Sequence, residues 1–183
     1  MTVLPPDWAL DQRTRLPDAL RVLVEEFPRE VWQSHDNFGQ MVQFWLQRHL
    51  MFRQLTDALK QDTRAFGARD LAFEAYAGRL SQLGGTLLNE LHMHHQIEDQ
   101  HYFPKLTRLD ARISTGFDLL EQDHHAIDPL LHEMADSANG VLQGGEIGLF
   151  QEALARLHAL LDRHLTDEEE IVVPVILKSG FDG

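Results

Sequence analysis

Residues 70–103 read DLAFEAYAGRLSQLGGTLLNELHMHHQIEDQHYF, and their periodicity decides the fold. Phe73, Tyr76, Leu80, Leu83, Leu87 and Leu91 recur in steps of three and four, the seam period of packed, near-parallel helices. The same register then runs on into His94, Glu98 and His101/Tyr102 without a break in phase. A stripe that is apolar for five turns and then turns ionisable demands an explanation. Burying an ionised carboxylate costs several kcal/mol, about the stability of a whole domain, unless it is paired or bound to a cation.

Three further segments repeat the pattern. From Ser34 or Asp36, both good helix caps, to about residue 62 the stripe is Phe38, Met41/Val42, Trp45, His49, Phe52, Leu55 and Leu59. From 111 to 139 it is Ile113, Phe117, Leu120, His124, Ile127, Leu131 and Met134. From 146 to 177 it is Ile147, Phe150, Leu154, Leu157, Leu161, His164, Glu168, Ile171 and Val175. Gly67, the Thr107–Asp110 turn and Gly144–Gly145 separate them. Connections this short make consecutive helices antiparallel neighbours, so the expectation is an all-α, up-down-up-down four-helix bundle over residues 35–178. Residues 1–34 form an extension broken by Pro5, Pro6, Pro17 and Pro28, and 179–183 a tail. Within the extension Leu16, Leu20, Leu23, Val24 and Phe27 predict a short amphipathic helix, suited to capping the bundle or to a homodimer contact.

The chain has 183 residues, with 16 basic and 29 acidic side chains and a net charge of −13. That balance argues against the basic surface a nucleic-acid partner requires. With no cysteine, thiolate chemistry, zinc fingers and iron–sulfur clusters are excluded. There is no apolar run long enough for a membrane span, and MTVLPPDWALDQRTR lacks the order of a signal peptide, so a cytoplasmic protein is expected.

The eleven histidines therefore carry the chemistry. His94–Glu98 and His164–Glu168 are both His-x-x-x-Glu, a spacing that stacks the two side chains on one helix face. Each pair is followed by a second acid (Asp99, Glu169), and a proline lies six residues beyond each Glu (Pro104, Pro174), where it ends or kinks the helix. With His49 and His124 in the same register, the candidate metal ligands are His49, His94, Glu98, His124, His164 and Glu168. Six such donors are too many for one tetrahedral zinc and suit two ions bridged by the carboxylates, with iron, manganese or zinc all compatible. His101, His125, Asp128 and Glu169 are reserves for completing the coordination. His35, His92, His95, His132 and His158 are off the stripes or remote, and most of them are expected to be solvated. Pro129 is expected to kink the third helix and widen access to the centre.

The order His49…His94-x-x-x-Glu98…His124…His164-x-x-x-Glu168, with both proline endings, resembles the hemerythrin-like (HHE cation-binding) domain family over roughly residues 35–178. The resemblance implies a non-haem, oxo- or hydroxo-bridged di-iron centre that binds or reacts with O₂, peroxide or nitric oxide. Iron handling without turnover and peroxide decomposition are the alternatives it leaves open. Oxygen carriers of this family have a further histidine where this chain has Asp128, and a last carboxylate at the position of Glu169.

Overall fold

The computed structural model describes residues 4–183, and every regular element in it is helical. Two short helices, α1 (Val22–Glu26) and α2 (Arg29–Trp32), precede four long segments. These are α3 (Gln40–Gly67), α4 (Phe73–Ile97), α6 (Ser114–Leu142) and α7 (Gly148–Ser179). Between α4 and α6 lie a π-helical turn, Glu98–Tyr102, and the short α5 (Phe103–Leu106). Among the long helices, α3 packs on α4 and α7, and α6 packs on α4 and α7, which closes a ring.

Both predicted starts move for a local reason. The Ser34 hydroxyl donates back to the Val31 carbonyl and so closes α2 instead of opening α3, which begins after Gly39. Asp70 closes α3: its N–H donates to the Ala65 carbonyl past Arg69, which adopts a left-handed φ of 65°. Gly144 (φ 88°) and Gly180 (φ 69°) occupy left-handed positions where α6 and α7 end, conformations that a Cβ would strain.

The core is divided in two. One apolar cluster gathers Trp45, Phe103, Phe117, Leu120, Ile171 and Val175 with Leu16, Leu20, Leu23 and Val24 of the extension. The other gathers Phe52, Leu91, Ile127, Leu131, Leu161 and Leu165. On every long helix the residues lying between these clusters are the ionisable members of the stripe, so the polar layer is sealed from both ends. Between Pro17 and Pro28 the extension forms a 3₁₀ turn (Asp18–Leu20) and the short α1, Pro28 separates α1 from α2, and a further 3₁₀ turn lies at Pro6–Trp8. Leu16, Leu20, Leu23, Val24 and Trp32 of the extension are buried in the chain's own core. No helix of the described residues is long and apolar enough to cross a membrane.

Candidate metal centre

Seven buried side chains converge in that layer. The ring nitrogens of His95, His124 and His164 come within 4.8 Å of one another, and donor atoms of His49, His94, Glu98 and Glu168 do the same in a second group. The two glutamates span both groups. Glu98 places Oε1 2.9 Å from His94 Nε2 and Oε2 3.6 Å from His124 Nε2. Glu168 places Oε1 3.3 Å from His49 Nε2 and Oε2 3.3 Å from His164 Nε2. These approaches are close without being aligned as hydrogen bonds. Nε2 of His49, His94, His124 and His164, both nitrogens of His95, both oxygens of Glu98 and Oε2 of Glu168 are sealed from solvent with no hydrogen-bond partner.

The outer nitrogens are, by contrast, provided for. His49 Nδ1 lies 3.0 Å from Glu169 Oε1, His124 Nδ1 2.8 Å from Asp99 Oδ1 and His164 Nδ1 3.2 Å from Asp123 Oδ2. An ionised carboxylate only accepts, so each Nδ1 carries a proton, and in the neutral ring Nε2 is left with a lone pair turned inward. Arginines hold two of these carboxylates in turn. Glu169 accepts from Arg29 and Arg53, each at 2.7 Å, and Asp123 accepts from the buried Arg13, whose Nε also donates to Asp167 at 2.8 Å. Trp45 donates its indole N–H to Glu168 Oε1.

Without a metal, the layer is electrostatically split. Burial pushes His94 down to about 3, and it holds His95 well below the usual histidine range. Burial opposes a charge on His164 too, but Asp123 and Glu168 overcome it and raise the group to about 9. Burial beside ionised Glu168 lifts Glu98 well above the carboxylate range. Glu168 stays ionised against the same burial because His49 and His164 flank it.

All six residues predicted as ligands are brought into the layer. Glu169 and Asp99 are not in either group and instead orient histidines. His101 and His125 are exposed and Asp128 lies outside both groups, so none of these three reserves faces the layer. The expectation for His95 is corrected: it is buried, and its ring stacks on His124 at 3.9 Å. It was legible in the His94–His95 doublet, because consecutive helical residues point about 100° apart and α4 stands between α3 and α6. His94 accordingly meets the ring of His49, and His95 meets that of His124. Arg13 had no signal in the sequence; it sits 110 positions from Asp123.

Of the two prolines beyond the glutamates, Pro104 lies in the short α5 that follows the π-helical turn, and Pro174 does not end its helix. Both α6 and α7 run through Pro129 and Pro174, and the ring of Pro129 is on the exposed face. The cavity that reaches the ligands lies between α3 and α4, with no lining residue from α6.

A family model described as the hemerythrin HHE cation binding domain matches residues 40–176. The chain matches no curated protein and no solved structure.

Proposed function

The chain belongs to the hemerythrin HHE cation-binding domain family, and from that premise we propose that it is a non-haem di-iron protein that binds or reacts with O₂, peroxide or nitric oxide. The observation that carries this reading is the set of sealed, partnerless donor atoms on seven side chains. Leaving one such group buried and unsatisfied costs about 1–3 kcal/mol, so this many in one layer of a single domain require a ligand that is not protein. Imidazole and carboxylate without thiolate suit iron, manganese or zinc. Two groups, of three histidines and of two, spanned by Glu98 and Glu168, suit two ions. The proposal takes the four long helices as an up-down-up-down bundle, a reading supported by their closed ring and short connections.

Two irons held there would supply reversible or redox binding of a small oxygen- or nitrogen-centred ligand. The protein's own part is to position and to exclude. Asp99, Asp123 and Glu169 fix the tautomer and ring plane of His124, His164 and His49. Trp45 pins one oxygen of Glu168, and Phe52 and Tyr102 wall the layer from water around His94 and Trp45. The three-histidine group is enclosed on its outer side by Phe103, which stacks on His124. The two-histidine group borders the cavity through His94 and Glu98, so an incoming ligand arrives on that side.

Metal analysis and an optical spectrum of iron-loaded protein, before and after azide or peroxide, test this. Two irons per chain with oxo-bridge absorption are expected. One zinc per chain without that absorption would refute it. Peroxide consumption would separate an enzyme from a carrier, sensor or iron-handling module built on the same ligands.

A further inference from the structure

The cavity between α3 and α4 is larger than any ligand named so far needs. It measures about 300 Å³, whereas a water molecule occupies about 30 Å³ of liquid. Its size is that of the smaller sites that take organic ligands. Three large apolar side chains stand exposed at its mouth: Phe44 at 56%, Met93 at 54% and Ile97 at 43%. Trp45 and Tyr102 line it, their rings 5.2 Å apart edge to face. The charged pair in its wall is self-satisfied, because Arg48 donates to the Glu90 carboxylate at 2.8 Å and to the Glu90 carbonyl. An anion therefore meets no free cation there.

Apart from Glu98, whose oxygens face the metal layer, two polar groups in this lining have no hydrogen-bond partner among the described residues: the Tyr102 hydroxyl and, within contact of the layer itself, His94 Nδ1. His49, His124 and His164 each spend Nδ1 on a carboxylate, but among the described residues His94 Nδ1 has no hydrogen-bond partner. It is also absent from the sealed atoms, although Nε2 of the same ring is sealed, so it is the accessible edge of a residue that lines the cavity. With Nε2 turned to the metal, Nδ1 carries the proton and is a donor.

We propose that this cavity binds a small, uncharged organic molecule with an apolar body and one hydrogen-bond acceptor, the acceptor received by His94 Nδ1 beside the two-histidine group. The inference rests on the metal reading for the tautomer of His94, and on the cavity itself for everything else.

Acetophenone is a suitable probe, titrated into metal-free and zinc-loaded protein by calorimetry and by NMR of methyl-labelled methionine. The Met93 methyl resonance is expected to shift saturably while buried Met134, in the other cluster, stays still. Ethylbenzene, equally apolar but without an acceptor, is expected to bind zinc-loaded protein about tenfold more weakly. Met93→Trp and Ile97→Trp place an indole at the mouth, on exposed positions where folding is preserved. Each is expected to weaken acetophenone about tenfold or more while leaving metal content unchanged. No saturable shift, equal affinity in both Trp variants, or a concentration-dependent dimer that covers Met93 would each overturn the proposal. Metal content measured in the same samples keeps the two failures apart. Two metals without acetophenone binding sink the cavity proposal alone, and acetophenone binding without metal uptake sinks the metal reading.

Discussion

Replacing Arg13 with Gln removes the buried cation that joins the N-terminal extension to the three-histidine side of the metal layer. The guanidinium is buried, with 3% of its side chain exposed, and forks onto Asp123, itself 2% exposed. It also reaches Asp167 at 2.8 Å and the Trp8 carbonyl at 2.8 Å. Breaking a buried pair by removing one partner costs about 3–5 kcal/mol, because the other charge stays buried. The lower end applies here: Arg163 still holds Asp167 at 2.9 Å, and in the metal-free protein a protonated His164 still faces Asp123. For a chain of this size roughly 3 kcal/mol lowers Tm by roughly 6–12 °C. In the loaded centre the ion's charge takes the place of the proton on His164, so the effect on metal comes through the looser hold of Asp123 on the His164 ring. Loss of a partner behind a metal-binding histidine weakens metal affinity about 10- to 100-fold. The loss is expected to fall on the His95–His124–His164 group and to split a competitive zinc or iron(II) titration into two steps. Arg13→Lys recovers only part of it, because an ammonium cannot fork onto Asp123. A lower Tm with both metals bound as in wild type would refute the coupling and leave Arg13 as a staple for the extension.

His95→Ala is expected to lose about one metal per chain by elemental analysis, whereas His101→Ala and His125→Ala keep wild-type content; the reverse result would misplace the three-histidine group. Chelation is expected to lower Tm, because a metal that binds the native layer and not the open chain stabilises by mass action; an unchanged melt after metal removal would contradict it. The metal-free protein is expected to be most stable near neutral pH. His164, raised from 6.5 to about 9, contributes stability that is complete below about 6.5 and lost as pH rises through about 9. His94, lowered to about 3, contributes stability that is complete above about 6.5 and lost as pH falls toward 3. Melts of chelated protein from pH 5 to 10 check this, and a Tm that changes in one direction only across that range would contradict the assignment.

The fold and most of the layer were legible because burial is periodic. The level at which each stripe turns from apolar to ionisable is a property of one helix, and four such levels can be aligned without coordinates. His49, His94, His124 and His164 were found that way. What depends on two helices at once was not. Whether Asp70 opens α4 or closes α3 is settled by which carbonyl its N–H meets, and the answer is Ala65. His95 was set aside because a single stripe has one centre, but α4 packs on both α3 and α6 and so has two inward directions. Of the arginines behind the carboxylates, Arg13 and Arg29 lie in the extension, where a charged residue between prolines looks like any solvated one, and Arg53 lies on α3 off its apolar stripe.

The repeated motif also means more than its spacing suggests. In both copies the Glu at the fourth position spans the two groups, and the acid that follows it turns away by one helical step. That step aims the acid at a histidine on a neighbouring helix: Asp99 of the π-helical turn reaches His124 of α6, and Glu169 of α7 reaches His49 of α3. Each copy thus supplies a histidine, a spanning carboxylate and the orienting partner of a lone histidine elsewhere. This explains why His49 and His124, which have no glutamate of their own, stand in the same layer with Nε2 turned inward. His164 has an orienting partner that neither copy supplies: Asp123, which comes from the position before His124. That carboxylate is met by Arg13, which it shares with Asp167 of α7, so the extension completes the part of the layer that the repeat leaves open.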